Sequence, residues 1–346
     1  MYRASVLIPT HEHAATLPFA VKTVQQQGID DIEILIVGDG VNDQLRATIK
    51  ELQTGDRRIK FFDMPKGPRH GEIHRDAVLR QAQGRIVCYQ CDDDLWLPGH
   101  LQAMEAALES ADFVGAMQVD VEPGDRLRGY LFDLQRPEFS QPWLEWKPHG
   151  FGDWANDGFG LAFAAHRLDA YFRLPEGWTT SPPSAFSTDQ YMWHKFIRQP
   201  WCRVRFLRWP LTLHFAAPAR RDWSASRRTD ELARWSKIIA SPDGWRHICH
   251  SILADLGDRL LNRSLTDVHQ RREFEAKCAR DLAALENELA AVRADLQTEQ
   301  SIRWRGERKW SLLQFELAAV RTELETERSK RLRVEAERDK LLASDT

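Results

Sequence analysis

Arg85-Ile86-Val87-Cys88-Tyr89, followed through Gln90 and Cys91 by Asp92-Asp93-Asp94-Leu95-Trp96, reads as a buried strand that ends in three carboxylates. The apolar run before the acids suits a strand covered on both faces. Beyond them Pro98-Gly99 makes a turn, and Leu101, Met104 and Leu108 have the spacing of an amphipathic helix. The aspartates therefore fall at the carboxyl end of a strand, where open α/β sheets hold ligands. Adjacent carboxylates repel one another, and an oxygen-liganded divalent cation would relieve that repulsion. A solvated acidic turn leading into a helix would carry the same residues.

Upstream, strands and helices alternate. Ser5-Val6-Leu7-Ile8 predicts a first strand closed by Pro9-Thr10, and Leu17, Ala20, Val21 and Val24 a helix ending near Gly28. Glu33-Ile34-Leu35-Ile36-Val37 predicts a second strand with Gly38-Asp39-Gly40 as its turn. A helix marked by Leu45, Ile49 and Leu52, a strand at Ile59 to Phe62, and a helix from about His74 to Gln83 complete the series. That alternation implies a mostly parallel sheet flanked by helices. Further strands are expected at Phe113 to Met117, Phe159 to Ala164, Val204 to Leu207 and Leu211 to His214.

Composition excludes several classes. The 346 residues carry a net charge of −3, which gives no electrostatic footprint for nucleic acid. No apolar run is long enough to span a bilayer, and the N-terminus has no signal-peptide pattern. The five cysteines lack zinc spacing and a paired framework, which fits a reduced, cytoplasmic setting. His11 and His13 alternate in a loop without a third partner nearby in sequence, so zinc is not expected. The turn Thr10-His11-Glu12-His13-Ala14-Ala15 contains no glycine, and no Walker-type run occurs, which argues against NAD and P-loop chemistry.

Four pieces in order carry a family resemblance: Val6-Leu7-Ile8-Pro9-Thr10-His11-Glu12; Glu33 through Asp43; His74-Arg75-Asp76-Ala77; and Gln83-Gly84-Arg85-Ile86-Val87 through Asp92-Asp93-Asp94-Leu95-Trp96. Together they resemble an inverting family 2 glycosyltransferase of the GT-A, nucleotide-diphospho-sugar transferase fold. The resemblance implies that Pro9, Thr10, Glu12 and Asp39 hold the nucleotide base and that Arg75 lies near the nucleotide. It places ribose on Asp92, and Mg2+ or Mn2+ on Asp93 and Asp94 with His214 as a further ligand. Asp189, in Ser187-Thr188-Asp189-Gln190 at a helix start with capping-box spacing, would be the general base. Without the resemblance it is only a helix-start acid. Gly38, Glu12 and Thr188 depart from the family's usual Asp, Asn and Glu.

The implied reaction is metal-dependent, inverting transfer from a nucleotide-sugar donor, expected to be a UDP-sugar, to a hydroxyl of a glycan or glycolipid in surface polysaccharide biosynthesis. The expected location is cytoplasmic or peripheral at the inner face of the membrane. Alternatives are a scaffold with a degenerate domain and a sugar nucleotidyltransferase. Of the thirteen tryptophans, Trp143, Trp146, Trp154 and Trp178 are candidate acceptor platforms, with Trp154 and Trp178 taken forward. Arg220, Arg221, Arg227 and Arg228 form a basic stretch able to pair with a diphosphate.

Beyond Asp267 the chain becomes rich in Ala, Glu, Leu and Arg. Leu282, Leu285, Leu289, Val292 and Leu296 alternate steps of three and four, and Glu288-Leu289-Ala290-Ala291-Val292-Arg293 recurs four heptads later at 316–321. Leu313, Leu317, Val320 and Leu324 continue the seam, interrupted by Glu299, Arg303 and Gly306. A continuous helix from 270 to 343 would reach roughly 110 Å and would need partner helices, so a homo-oligomer through a coiled coil is expected. The domains expected are 1–240 for the catalytic fold, 241–269 for a helical linker and 270–346 for the arm.

Overall fold

The computed structural model describes residues 2–131, 135, 160–182, 187–301 and 307–344. Four parallel strands, β1 (Tyr2–Thr10), β2 (Ile32–Asp39), β3 (Ile59–Met64) and β4 (Gly84–Tyr89), are linked by α1 (Leu17–Gln25), α2 (Asp43–Gly55) and α3 (Glu72–Leu79). Every residue of β2 is buried. Ile34 and Ile36 pack into one apolar cluster, and Leu35 and Val37 into another across the sheet. The period-two alternation of a strand thus fills two layers at once, each large aliphatic stabilising by about 1.5–3 kcal/mol when fully buried. Gly84 begins β4 because a Cβ there would run into the backbone of Ala4 and Ser5.

The strand order is β3-β2-β1-β4, so the chain first winds to one side of β1 and then returns to the other. That reversal makes a crevice beyond the tips of β1 and β4. The sheet continues through β8 (Ala164–Arg167), antiparallel to β4, and β6 (Phe113–Glu122), antiparallel to β8. β6 also pairs with β7 (Arg126–Tyr130) and, in parallel, with β9 (Val204–Pro210). A two-stranded ladder joins β5 (Leu95–Trp96) to β10 (Thr212–Leu213). The strand expected from Phe159 begins later, at Ala164, because Leu161–Phe163 forms a 3-10 turn after Gly160. The remaining helices are α4 (His100–Leu108), α5 (Leu168–Phe172), α6 (Thr188–Ile197), α7 (Ala225–Ala240), α8 (Gly244–Ser301) and α9 (Glu307–Ser344).

Two compact units divide at Leu256 and Gly257, beyond the boundary of 240 expected from sequence. The start of α8 is not a linker: Ile248 and Ile252 pack with Val119, Leu127, Leu232 and Trp235 in a third apolar cluster. In the second unit Cys278, Leu289 and Leu324 are buried. Arg328 donates to Glu286 at 3.0 Å, while Lys330 lies in the field of Asp281 and Cys278. Later residues of α9 thus meet earlier residues of α8, so the seam closes as an antiparallel hairpin within one chain. The residues around Gly306, 302–306, lie outside the described ones. No described helix is long and apolar enough to cross a membrane.

Candidate active site

A cleft of about 680 Å³ opens beyond the tips of β1, β2 and β4. Pro9, Thr10, Glu12, Asp39, Arg75, Asp92, Asp93 and Asp189, eight residues named from sequence, all line it. Thr10 and Asp39 close β1 and β2, Asp92 and Asp93 follow β4, and Arg75 comes from α3. Asp189 arrives from α6, whose start is fixed by Ser187 Oγ accepting the Asp189 N–H at 3.3 Å. Two buried polar atoms of cleft residues, Thr10 Oγ1 and Arg75 Nε, have no hydrogen-bond partner among the described residues. Such groups are costly unless a ligand or water satisfies them.

At one end Asp39 is held firmly. Its carboxylate accepts the Gly67 N–H at 2.6 Å and pairs with the Lys66 ammonium. Burial alone would raise its pKa, but those two donors outweigh it and hold the carboxyl below the ordinary range. Gly71 has a left-handed φ of 63°, and a Cβ there would collide with the same carboxylate. His11 Nδ1 lies 2.6 Å from the Asp39 carbonyl oxygen. Lys66 was not singled out from sequence; its signal was the Lys66-Gly67-Pro68 loop after β3.

At the acidic tip, His13 Nδ1 lies 2.7 Å from Asp92 Oδ1, and Arg228 donates to Asp93 Oδ2 at 2.6 Å. His13, Asp92 and Asp93 each offer a ligand atom, all within 4.8 Å of one another. Burial first, then the neighbouring Asp94 and Asp92, push the Asp93 carboxyl up to about 7. His13 is raised by its bond to Asp92 against the opposing effect of burial. Two carboxylate oxygens and one imidazole nitrogen within reach of one point fit a divalent cation, so these residues would hold Mg2+ or Mn2+. His13 thus gains the partners that its sequence neighbourhood lacked.

Asp94 and His214 do not join that group. Asp94 is fully buried and accepts the Phe215 N–H at 3.0 Å, with His214 Nδ1 at 3.0 Å from the same oxygen. Burial lowers the His214 pKa, but the Asp94 carboxylate outweighs it and the imidazole is raised to about 9. The structure thus sets both apart from the group that sequence assigned them to, with each satisfying the other behind the cleft wall. The β5–β10 ladder explains this, since it pairs Trp96 with Thr212 and Leu95 with Leu213. One step further in that antiparallel register, His214 faces Asp94.

Asp189 accepts from Arg75 at 3.1 Å and from Thr188 Oγ1 at 3.2 Å, with a fifth of its side chain exposed to the cleft. Thr188, where the family usually has glutamate, thus orients the acid. Trp178 is corrected as an acceptor platform: it is buried, its indole N–H donates to Tyr89 Oη at 3.0 Å, and the Arg75 guanidinium stacks 4.4 Å from its ring centroid. Its work is to support Arg75. Trp154, Trp143 and Trp146 lie outside the described residues. Among the basic stretch, Arg220 is buried in a two-point pair with Glu231, so only Arg228 reaches the acids.

Residues 5–173 match the family model Glycosyl transferase family 2. The chain is 33% identical over 107 residues to the GalNAc(5)-diNAcBac-PP-undecaprenol beta-1,3-glucosyltransferase of Campylobacter jejuni, covering 30% of this chain and 34% of that protein. It is 27% identical over 103 residues to the UDP-Glc:alpha-D-GlcNAc-diphosphoundecaprenol beta-1,3-glucosyltransferase WfgD of Escherichia coli, covering 29% and 39%. The chain thus spans less than half the length of these two curated relatives. Solved structures similar to it include S. aureus TarS 1-349, at TM-score 0.48 and 14% identity over 74% of this chain and 71% of that one. Another is the mannosyltransferase PcManGT from Pyrobaculum calidifontis in complex with GDP-Man and Mn2+, at TM-score 0.45 and 18% identity over 93% and 86%.

Proposed function

We propose that the chain, whose residues 5–173 match the model of glycosyl transferase family 2, transfers a sugar, with inversion, from a UDP-sugar to a hydroxyl of a glycan or glycolipid acceptor. What supports this above all is that Asp92 and Asp93 share one cleft with Asp189, which comes almost a hundred residues later. Asp39, Pro9, Thr10 and Glu12 form the base-binding end, where the Asp39 carboxylate is pre-set by Lys66 and Gly67. Arg75 bridges the two halves: it holds Asp189 and leaves its Nε free to meet a donor oxygen.

The chemistry assigned to the chain's own groups is a proton transfer. Asp189 Oδ2, the carboxylate oxygen opposite the one held by Arg75 and Thr188, takes the proton of the acceptor hydroxyl as that oxygen attacks. A divalent ion on Asp92, Asp93 and His13 would supply electrostatic stabilisation of the departing diphosphate. The two relatives act, by their names, on undecaprenol-linked acceptors, which favours a lipid-linked acceptor here and a place at the inner membrane face, in surface polysaccharide assembly. Self-association is assigned to the helical unit, where Leu260, Leu261, Phe315 and Leu332 remain exposed although the hairpin covers its own seam.

A panel of UDP- and GDP-sugars, each with and without Mn2+ or Mg2+, tests the reading by thermal shift and product analysis. One UDP-sugar should raise Tm only with metal and release UDP in its presence. Pyrophosphate released from UTP or GTP in the presence of a sugar 1-phosphate, with no UDP released from the sugar nucleotides, would instead indicate a nucleotidyltransferase, and silence in both assays a degenerate domain serving the helical arm.

A further inference from the structure

Arg228 stands where a helix least favours a cation. Ser224 Oγ accepts the Arg227 N–H at 3.2 Å and starts α7, so Arg227 and Arg228 both fall near its positive end. Arg227 covers the Trp223 ring, 3.7 Å from its centroid. Arg228 turns instead to the acids, 2.6 Å from Asp93 Oδ2 and 3.4 Å from His13 Nε2, with most of its side chain covered. It therefore engages Asp93 and borders His13, two of the three residues that form the one metal-competent group among those described.

Resting on the donor-site reading above, we propose that Arg228 is a resident counter-charge. Its guanidinium neutralises Asp93, must leave Asp93 for a divalent ion to bind, and then pairs with the diphosphate. Two physical features favour the exchange. The long side chain springs from the first turn of a sixteen-residue helix, whose N-terminal N–H groups also attract anions. A guanidinium forks onto phosphate oxygens as readily as onto a carboxylate. The consequence is linkage. Metal alone binds weakly because it displaces an ion pair, whereas metal with diphosphate binds tightly because the displaced arginine gains a new partner. An arginine that merely braces the fold would stabilise the protein without opposing the metal.

The test measures Mn2+ dissociation constants on the full chain from the free-ion EPR signal, alone and with saturating UDP or GDP. Arg228→Gln should bind Mn2+ alone about tenfold tighter than wild type, on the order expected for removing a charged hydrogen bond that competes for the ligand. The tightening caused by UDP should shrink by about tenfold. Arg228→Met should repeat both changes from a second uncharged side chain, and Arg228→Lys should stay near wild type. If UDP or GDP tightens Mn2+ binding in wild type, yet neither uncharged variant binds Mn2+ alone more tightly, the counter-charge role is overturned and the donor site stands. If neither nucleotide affects Mn2+ binding in wild type, the donor site and the counter-charge role both fall.

Discussion

Asp93 and Asp94 are neighbours in sequence and belong to different regions of the molecule. Asp94 points behind the cleft wall, where His214 and the Phe215 N–H satisfy it. Asp93 faces the cleft and pairs with Arg228, while burial first and then two neighbouring carboxylates push its pKa up to about 7. One peptide bond separates a group whose charge is satisfied inside the fold from one whose charge is turned to the cleft and met there by Arg228. An acidic run at a strand tip is therefore not a uniform ligand set. Asp92 and Asp93 lie in the turn after β4 and face the crevice, whereas Asp94 directly precedes β5, whose register with β10 brings it against His214.

That contrast predicts opposite consequences for two similar substitutions. Asp94→Asn breaks a buried ion pair and should cost about 3 kcal/mol of stability, read as a fall in Tm, while the folded fraction keeps its nucleotide affinity. A loss of metal binding at unchanged Tm would erase the distinction. Asp93→Asn should do the reverse: about a hundredfold weaker UDP binding in the presence of Mn2+, on the order of a lost charged ligand, with a smaller change in Tm because relief of the carboxylate crowding offsets the lost Arg228 pair. Calorimetric titration and melting of the same samples check both. Lys66→Met sharpens the contrast at the cleft's other end. It removes one of the two donors on Asp39 and should weaken UDP binding by about tenfold without changing Mn2+ affinity.

Much of this was legible in the residues. The strands, and the positions of Thr10, Asp39, Asp92 and Asp93 at their tips, follow from local hydrophobic pattern and turn chemistry. The capping serine two residues before Asp189 made its place at a helix start legible, but only the family resemblance marked it as a candidate base. What escaped depends on contacts between distant segments. His13 meets Asp92 across 79 residues and Arg228 meets Asp93 across 135, and no local period encodes either pairing. The inward turn of Asp94 follows from the β5–β10 register, which two-residue strands scarcely announce. Trp178 looked like a sugar platform by composition, yet a large ring beside an arginine serves equally as buried support. The heptad seam of the tail was readable, but a seam specifies a partner helix without saying which chain supplies it. Arg328 and Glu286 show one such partner within the chain itself.

The central claim is that the acidic tip and Asp189 serve one reaction from opposite sides of one cleft. Asp189→Asn tests it most directly, with turnover and nucleotide affinity measured on the same preparation. The prediction is a fall in kcat of about a thousandfold, within the range for removing a general base, with UDP affinity within about twofold of wild type, since in this account the carboxylate's charge does not bind the nucleotide. Full turnover in the variant, or a loss of UDP binding as large as the loss of activity, would contradict it.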